Sequence, residues 1–316
     1  MKEVINMNIK NMSAEITEKI YNWIPHDLNY SKAVAFPDIC PGKSPLPTGI
    51  SVLTKQKNWR KYALSDVGCG FLFLKPKKKI TIDTFNKKDW YDVGILLKEN
   101  KGKLGEIGSG NHFCDSFISI NSQELYFAIH TGSRLEGEDL KNYIDNPKLF
   151  DQRYKDTVNY AFENRAAVAT ILEKVFGKTN VILDKAHNSY EILDEENIII
   201  RKGTVKLNPG ELSIIPSSME GDMVLVKAKE EINNCLNSLS HGTGRCRSRS
   251  ASKVYAETYD FEKLRSNIYI PEYISNASIK TEAPFCYRDI NTCMDLLKDI
   301  VEEEDRYIPI AYIGQL

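Results

Sequence analysis

The sequence has 316 residues, of which 42% are hydrophobic and 27% charged, so the chain is long enough to bury a sizeable core. Its formal net charge of −1 excludes a global attraction to nucleic acid, and a polyanionic ligand would need a local basic patch. No apolar run reaches the roughly 18 residues of a membrane span, and the stretch "MKEVINMNIK" lacks the apolar core of a signal peptide, so we expect a cytoplasmic protein.

The predicted elements form a central block of strands with a few helices around it. In chain order, a helix over residues 14–24, behind Ser13, is followed by strands over 49–54, 67–74, 116–120 and 125–130. A long amphipathic helix over residues 149–177, ended by Gly177, precedes strands over 180–187, 197–203, 211–216 and 222–228. The last predicted helix covers residues 291–305. Because the helices do not alternate with the strands, the pattern predicts an α+β fold rather than a doubly wound sheet.

Metal-capable residues fall at the ends of these predicted strands. They are Asp66 and Cys69 in "SDVGCGF", His112 in "GSGNHF", His130 in "FAIHTGSR" and His187 in "DKAHNSY". Taken singly, each is typical of an inert buried thiol or a hydrogen-bonded histidine. Together they offer a carboxylate, a thiolate and imidazoles for one or two divalent ions, and ligand softness alone indicates zinc. The odd number of cysteines, at irregular spacing, argues against a disulfide framework.

A second candidate site is the stretch "NSLSHGTGRCRSRSAS" over residues 237–252. His241 directly precedes glycines that allow close approach of a ligand to the backbone. Arg245, Arg247 and Arg249 follow, and their planar guanidinium groups suit phosphate. The pattern therefore indicates a phosphate-handling site around a histidine.

Several motifs occur in the order and approximate form seen in one known family. They are "FPDICPGKSPLPTG", "SDVGCGF", "GEIGSGNHFCD", "HTGSR", "AHN", "RKGT", "PSSM", "SHGTGR…SR" and "EAPFCYRDI". In these motifs, from about residue 30 to about residue 290, the chain resembles the RtcB-type RNA ligase family. The resemblance implies one domain over residues 1–316, with central β-sheets flanked by helices around a dimetal cleft.

The resemblance also implies an activity. It assigns two Mn²⁺ ions, rather than zinc, to Asp66, Cys69, His112, His130 and His187, with the cysteine shared between the ions. It makes His241 the residue that GTP guanylylates. The family then joins an RNA 3′-phosphate or 2′,3′-cyclic phosphate to a 5′-hydroxyl end, in tRNA splicing or RNA repair.

Further residues match the family's nucleotide and RNA-end positions. Asn111 is expected to touch phosphate. The expected guanine pocket consists of Phe113, Asp115, Ser218 and Tyr287. The candidates for terminal phosphates are Arg134 and Arg245, with Arg201, Arg247 and Arg249 as weaker ones.

The sequence departs from the family pattern near the nucleotide. Cys40 stands in "PDICPG" where a histidine is common, and "IPSSMEG" contains Ser217 in place of a glycine, with Glu220 close by. The family generally finishes with a lysine that reaches the nucleotide, whereas this sequence finishes "IGQL". We expect Lys202 or Lys43 to substitute for that lysine.

Two other functions stay open at this stage. One is a metal-dependent phosphoesterase or nuclease that kept the dimetal centre without nucleotidyl transfer. The other is a non-catalytic protein that binds RNA ends. The need for an activator protein is also open.

Overall fold

The structure is a computed structural model that describes residues 3–6, 23–41, 45–64 and 66–316. The helix predicted over residues 14–24 lies almost entirely outside these described residues, as does Lys43. Within the described ranges, no helix combines the length and apolarity that crossing a membrane requires.

The described chain contains both strands and helices in the α+β arrangement that the sequence predicts. The strands are β1 (Glu3–Asn6), β2 (Tyr30–Cys40), β3 (Thr48–Thr54), β4 (Gly70–Pro76), β5 (Phe113–Ser119), β6 (Leu125–Thr131), β7 (Thr179–Ala186), β8 (Asn188–Ile192), β9 (Ile198–Lys202), β10 (Thr204–Lys206), β11 (Leu212–Ile215), β12 (Met223–Ala228), β13 (Ser238–Ser240) and β14 (Val301–Gly314). The helices are α1 (Lys87–Glu99), α2 (Pro147–Phe176), α3 (Arg249–Tyr255), α4 (Phe261–Asn267), α5 (Asn276–Ile279) and α6 (Ile290–Leu297). Short 3₁₀ turns cover Trp59–Tyr62, Ile82–Thr84, Arg134–Gly137, Leu140–Tyr143, Glu230–Cys235, Ala256–Thr258 and Pro284–Cys286.

Two large sheets carry the site. A seven-stranded sheet has the order β11-β12-β14-β5-β6-β4-β7, and all of its pairings are antiparallel. A five-stranded sheet has the order β1-β2-β3-β9-β8, in which only β1 and β2 run parallel. A short pair of β10 and β13 forms a third sheet. Every strand that the sequence predicts is present, because each is a short β-branched run that a sheet can bury.

The helix α2 links the cores of the two large sheets. Near its start, Phe150 and Tyr154 pack in one hydrophobic cluster with β3 and β9 residues such as Val52. Farther along, Leu172 belongs to a second cluster with β6 and α1. The helix ends, as predicted, at Gly177, whose φ of +79° is a conformation that side chains disfavour.

The prediction of one helix over residues 291–305 is correct only for its first half. α6 covers Ile290–Leu297, whereas Val301–Gly314 forms β14 between β12 and β5. Val301 and Tyr307 are buried there. Ladder hydrogen bonds on both sides and this burial outweigh the helix propensity of the acidic run that the prediction followed.

Candidate functional site

One cavity of about 860 Å³ is lined by every residue predicted as a metal ligand, nucleotide contact or nucleophile. It lies where strands of all three sheets end. β4 begins after Cys69, β6 ends just past His130, and β7 ends before His187. β5 begins after His112 and β13 ends before His241. The chain turns at these strand ends, so their polar side chains face one cavity rather than the two cores.

The centre of the cavity is a cluster of Cys69, His130 and His187, whose ligand atoms all lie within 4.8 Å of one another. His130 Nε2 lies 3.3 Å from Cys69 Sγ and 2.9 Å from His187 Nε2. Sheet register produces this cluster, since β4 pairs with β6 on one side and with β7 on the other. Gly70, the first residue of β4, lies opposite Ala186, and a Cβ at Gly70 would approach the neighbouring backbone to 2.2 Å.

His112 extends the cluster on the other side of the thiol. Its Nε2 lies 3.3 Å from Cys69 Sγ, so the sulfur contacts two imidazole nitrogens. His112 Nδ1 lies 3.2 Å from the Ile107 carbonyl oxygen and 3.1 Å from a guanidinium nitrogen of Arg134. A thiolate placed between imidazoles is a soft ligand that suits a transition-metal ion.

Hydrogen bonds fix the tautomers of His130 and His187. His130 Nδ1 donates to the Asn111 carbonyl at 2.9 Å, which leaves Nε2 as the unprotonated nitrogen of a neutral ring. His187 Nδ1 contacts Asn188 Oδ1 at 3.4 Å, and the Gly203 N–H donates to that same oxygen at 2.7 Å. Both Nε2 lone pairs therefore point into the cluster. Lone pairs that face each other at this distance repel, and a cation bound between them would remove that repulsion.

Burial keeps these imidazoles neutral. Desolvation, followed by the charges of neighbouring histidines, holds the pKa of His130 and of His187 well below the usual range. Burial and then the Arg134 guanidinium lower the pKa of His112 to about 4. Burial and the Asp66 carboxylate raise the pKa of the Cys69 thiol to about 12, so a thiolate requires a cation beside it. Neutral imidazoles and a latent thiolate are a donor set that fits a transition-metal ion.

Asp66 lines the same cavity but lies outside the three-residue cluster. Its Oδ2 accepts a hydrogen bond from Lys202 Nζ at 3.1 Å, and its side chain is 69% exposed. Its φ of +49° is in the left-handed region, which few non-glycine residues adopt. The turn is held by the Asp66 carbonyl, which accepts from Cys69 N–H at 3.0 Å and from Asn188 Nδ2 at 2.9 Å. The role of Asp66 as a metal ligand stays a prediction.

His241 lies beside the cluster, with its ring centroid 4.6 Å from that of His187. Its Nδ1 lies 2.5 Å from Oδ2 of Asp38, a fully buried residue of β2. Its backbone N–H donates to the Gly203 carbonyl at 3.2 Å. Because a carboxylate only accepts, Nδ1 carries the proton and Nε2 carries the lone pair on the neutral ring. This arrangement presents Nε2 as a nucleophile.

Asp38 is a candidate functional residue that the sequence alone did not indicate. It stands in "FPDICPGKSPLPTG", a motif that carries the family resemblance, yet no role was assigned to it. The available signal was an acidic residue inside the apolar run "AVAFPDIC" over residues 33–40, because a buried carboxylate needs a partner.

The predicted guanine-pocket residues all line the cavity: Phe113, Asp115, Ser218 and Tyr287. Asp115 is 3% exposed, and burial raises the pKa of its carboxyl well above the usual range. Its Oδ1 has no hydrogen-bond partner among the residues that the structure describes. Tyr287 is held by a hydrogen bond from its hydroxyl to Glu282. Asn111 also lines the cavity.

Of the predicted phosphate-binding arginines, the structure brings Arg134, Arg245 and Arg249 to the cavity, but not Arg201 or Arg247. Arg201 is buried and donates to Ser238 Oγ and to the Glu191 carboxylate. Arg247 lies over a tyrosine ring outside the cavity.

Arg245 donates to the Thr281 carbonyl at 2.6 Å, the Glu282 carboxylate at 3.0 Å and Ser252 Oγ at 3.1 Å. Its guanidinium lies 5.4 Å from the centroid of the Tyr287 ring. These contacts fix Arg245 in the wall of the cavity.

The positions that depart from the family pattern are divided between two cavities. Cys40 and Ser217 line the main cavity, and so does Lys202, the expected substitute for the family's lysine. Glu220 lines a neighbouring one instead.

Comparison with known proteins gives a consistent family. A family profile described as "tRNA-splicing ligase RtcB" matches residues 150–315, more than half of the chain. RNA-splicing ligase RtcB2 of Escherichia coli strain ATCC 25922 is 27% identical over 322 residues, covering 85% of this chain and 83% of that protein. RNA-splicing ligase RtcB of Escherichia coli K12 is 27% identical over 253 residues, covering 66% of this chain and 60% of that protein.

An archaeal protein, tRNA-splicing ligase RtcB of Nanoarchaeum equitans, is 25% identical over 290 residues, covering 68% of this chain and 60% of its own length. The profile match includes His187 and His241, and the structure brings both residues to one cavity with a metal-capable cluster. On the extent of the family match, the chain belongs to the RtcB family of tRNA-splicing ligases.

Proposed function

We propose that this protein is a GTP- and Mn²⁺-dependent RNA ligase that joins an RNA 3′-phosphate or 2′,3′-cyclic phosphate to a 5′-hydroxyl end through guanylylated His241. The observation that carries the proposal is the position of His241, which lies between a buried carboxylate and a cluster of neutral metal-ligating side chains. RNA ends are the substrates that the family implies, and either tRNA splicing or RNA repair would supply them.

Metal ions would be held by Cys69, His112, His130 and His187, with Asp66 as a further ligand, and when bound they supply positive charge against the phosphates. The side chains position these ions through fixed tautomers.

In the first step, His241 Nε2 forms a bond to the α-phosphorus of GTP. The bond from that phosphorus to the bridging oxygen breaks, and pyrophosphate leaves with the electron pair. Positive charge develops on the imidazole, and the Asp38 carboxylate at Nδ1 stabilises it. Asp38 thus orients the ring and offsets its charge while the Nδ1 proton stays in place.

In the second step, an oxygen of the RNA 3′-phosphate attacks the phosphorus on His241, and Nε2 leaves with its electron pair. The 5′-hydroxyl oxygen of the second RNA then attacks the activated 3′-phosphate, loses its proton to solvent, and GMP departs. A 2′,3′-cyclic phosphate is first opened by hydrolysis at the same site. Arg134 and Arg249, which line the cavity, are proposed to hold the terminal phosphates.

Incubation with GTP labelled at the α-phosphate and Mn²⁺, followed by denaturing electrophoresis, tests this proposal. We expect an acid-labile labelled band that His241→Ala removes without loss of bound metal. His26→Ala is the matched control, because His26 is exposed and does not line the cavity. Joining of RNA already carrying GMP at its 3′ end should survive His241→Ala. A phosphoesterase or nuclease would instead give Mn²⁺-dependent cleavage of a phosphate end with no label on the protein.

A further inference from the structure

A second cavity of about 470 Å³ lies next to the first, and none of the residues that line it also lines the first. The loop between β11 and β12 separates the two. Its residues Ser218, Met219 and Gly221 line the first cavity, whereas Glu220, between them, lines the second. The second cavity therefore begins one residue away from the predicted nucleotide pocket.

Aromatic rings form one wall of this second cavity. Tyr255 and Tyr259 line it, and each packs against Phe285 with a ring-centroid distance of 4.7 Å. The Arg247 guanidinium lies 4.5 Å from the Tyr255 ring centroid and donates to the Phe285 carbonyl. With these contacts in place, Tyr255 is still 44% exposed. A fixed and exposed aromatic face is the surface on which single-stranded bases stack, with little dependence on sequence.

Polar groups line the same cavity as these rings. Glu220 Oε1 accepts from Asn267 Nδ2 at 2.6 Å, which holds the carboxylate and the amide side by side. Lys263 lines the same cavity. Carboxylate and amide groups match the donors and acceptors on a base edge, and an ammonium group suits a phosphate. The combination fits a nucleotide better than a purely apolar ligand.

The helix α3 sets the separation of the two cavities. Arg249, at its start, lines the first cavity, and Tyr255, at its end, lines the second. At a rise of about 1.5 Å per residue, these two residues lie about 9 Å apart along the helix axis. Stacked nucleotides rise about 3.4 Å each along a strand, so about two or three of them span this distance.

We propose that the second cavity binds one nucleobase of the RNA strand whose end enters the first cavity, about two or three nucleotides from that end, by stacking on Tyr255 and Tyr259. This inference rests on the proposed function, since it assumes that the end being joined belongs to RNA. The protein would then bind the RNA strand at a second point, through contacts that involve neither the metal cluster nor GTP.

Fluorescence anisotropy with short single-stranded RNAs, in Mn²⁺ without GTP, tests the inference. One RNA carries a 3′-phosphate and the other carries a 5′-hydroxyl. In each RNA, an abasic residue is placed in turn at each of the first few positions counted from the named end. We expect abasic substitution at one position to weaken binding by about 5- to 150-fold, the range typical of base–aromatic stacking. Tyr255→Ala should weaken binding of the intact RNA and reduce the further loss caused by the abasic residue at that position.

Val254→Ala is the matched control, because Val254 is the neighbouring residue on α3, is 68% exposed and lines neither cavity. It should leave the abasic profile unchanged. Glu220→Gln, which preserves size, should also alter the profile, so the test does not depend on removing a ring. RNA binding that is insensitive to the position of the abasic residue, or a profile that persists in Tyr255→Ala, would overturn this inference alone. A wild-type protein that binds neither RNA would overturn the proposed function as well.

Discussion

Asp38→Asn tests whether the carboxylate behind His241 contributes to nucleotidyl transfer. The substitution preserves the size of a fully buried side chain, so the fold and the metal cluster should be retained. It removes the negative charge that lies 2.5 Å from His241 Nδ1. A rotated amide could also donate to Nδ1, which would place the ring proton on Nε2 and block attack.

The expected loss follows from the energy of a charge-assisted hydrogen bond. Such a bond contributes about 1.5–3 kcal/mol, and it is needed most when the ring becomes positive. At 1.36 kcal/mol per tenfold change in rate, the variant should form the guanylylated adduct about 10- to 150-fold more slowly. If the wrong tautomer dominates, the loss should approach about 10⁴-fold, as when a triad carboxylate is replaced by an amide.

The assay is the single-turnover rate of adduct formation with labelled GTP at saturating Mn²⁺. Asp222→Asn is the control, because Asp222 pairs with Arg306 at 3.3 Å and does not line the cavity. Metal content, measured by elemental analysis, should match the wild type in both variants. An Asp38→Asn protein that carries full metal and forms the adduct within about twofold of the wild-type rate would refute the role assigned to Asp38.

Three other outcomes are expected. Cys69→Ser should sharply reduce Mn²⁺ occupancy in elemental analysis and abolish joining, because a serine hydroxyl is a poor bridging anion. Cys235→Ser is the control and should retain both Mn²⁺ and joining activity. Two tightly held ions in Cys69→Ser would contradict the prediction. Lys202→Ala should slow adduct formation by about 100-fold, because a cation in the cavity is lost, and should leave the joining of pre-activated RNA unchanged. Lys227→Ala is the control, because Lys227 pairs with Glu302 and does not line the cavity. Burial raises the pKa of Asp115, so its carboxylate becomes available to guanine N–H donors only as the pH rises. The affinity for GTP, measured by calorimetry, should therefore increase with pH in the wild type but not in Asp115→Asn.

Much of the fold could be predicted because local pattern and tertiary environment agree. β4 and β12 are short β-branched or aromatic runs that become buried strands, and α2 ends where Gly177 permits a positive φ. The prediction of a helix over residues 291–305 failed in its second half because the local pattern and the tertiary environment disagree there. Val301–Gly314 pairs with strands that are far away in sequence, and no local pattern reports that pairing.

The sequence indicated which residues belong to the candidate site, but it did not indicate how their side chains are arranged in space. The histidines stood out because they sit at strand ends beside small or polar residues. Asp38 did not stand out as a partner, because the contact that gives it a role joins residues 203 positions apart. The position of Arg201, which donates to Ser238 and lies outside the cavity, could not be predicted either, since "RKGT" is one of the motifs that carry the family resemblance.

In the proposed function, what separates the nucleophile His241 from the metal ligands His130 and His187 is the hydrogen-bond partner of each Nδ1. In the described part of the chain, His130 donates to a backbone carbonyl and His187 to an amide oxygen, whereas His241 contacts the Asp38 carboxylate. A neutral partner fixes a tautomer and leaves the ring neutral, which suits a metal ligand. A carboxylate also stabilises the positive charge that appears when Nε2 forms a covalent bond, which suits a nucleophile. On this proposal, the atom that contacts Nδ1 assigns the same imidazole group to one of two roles.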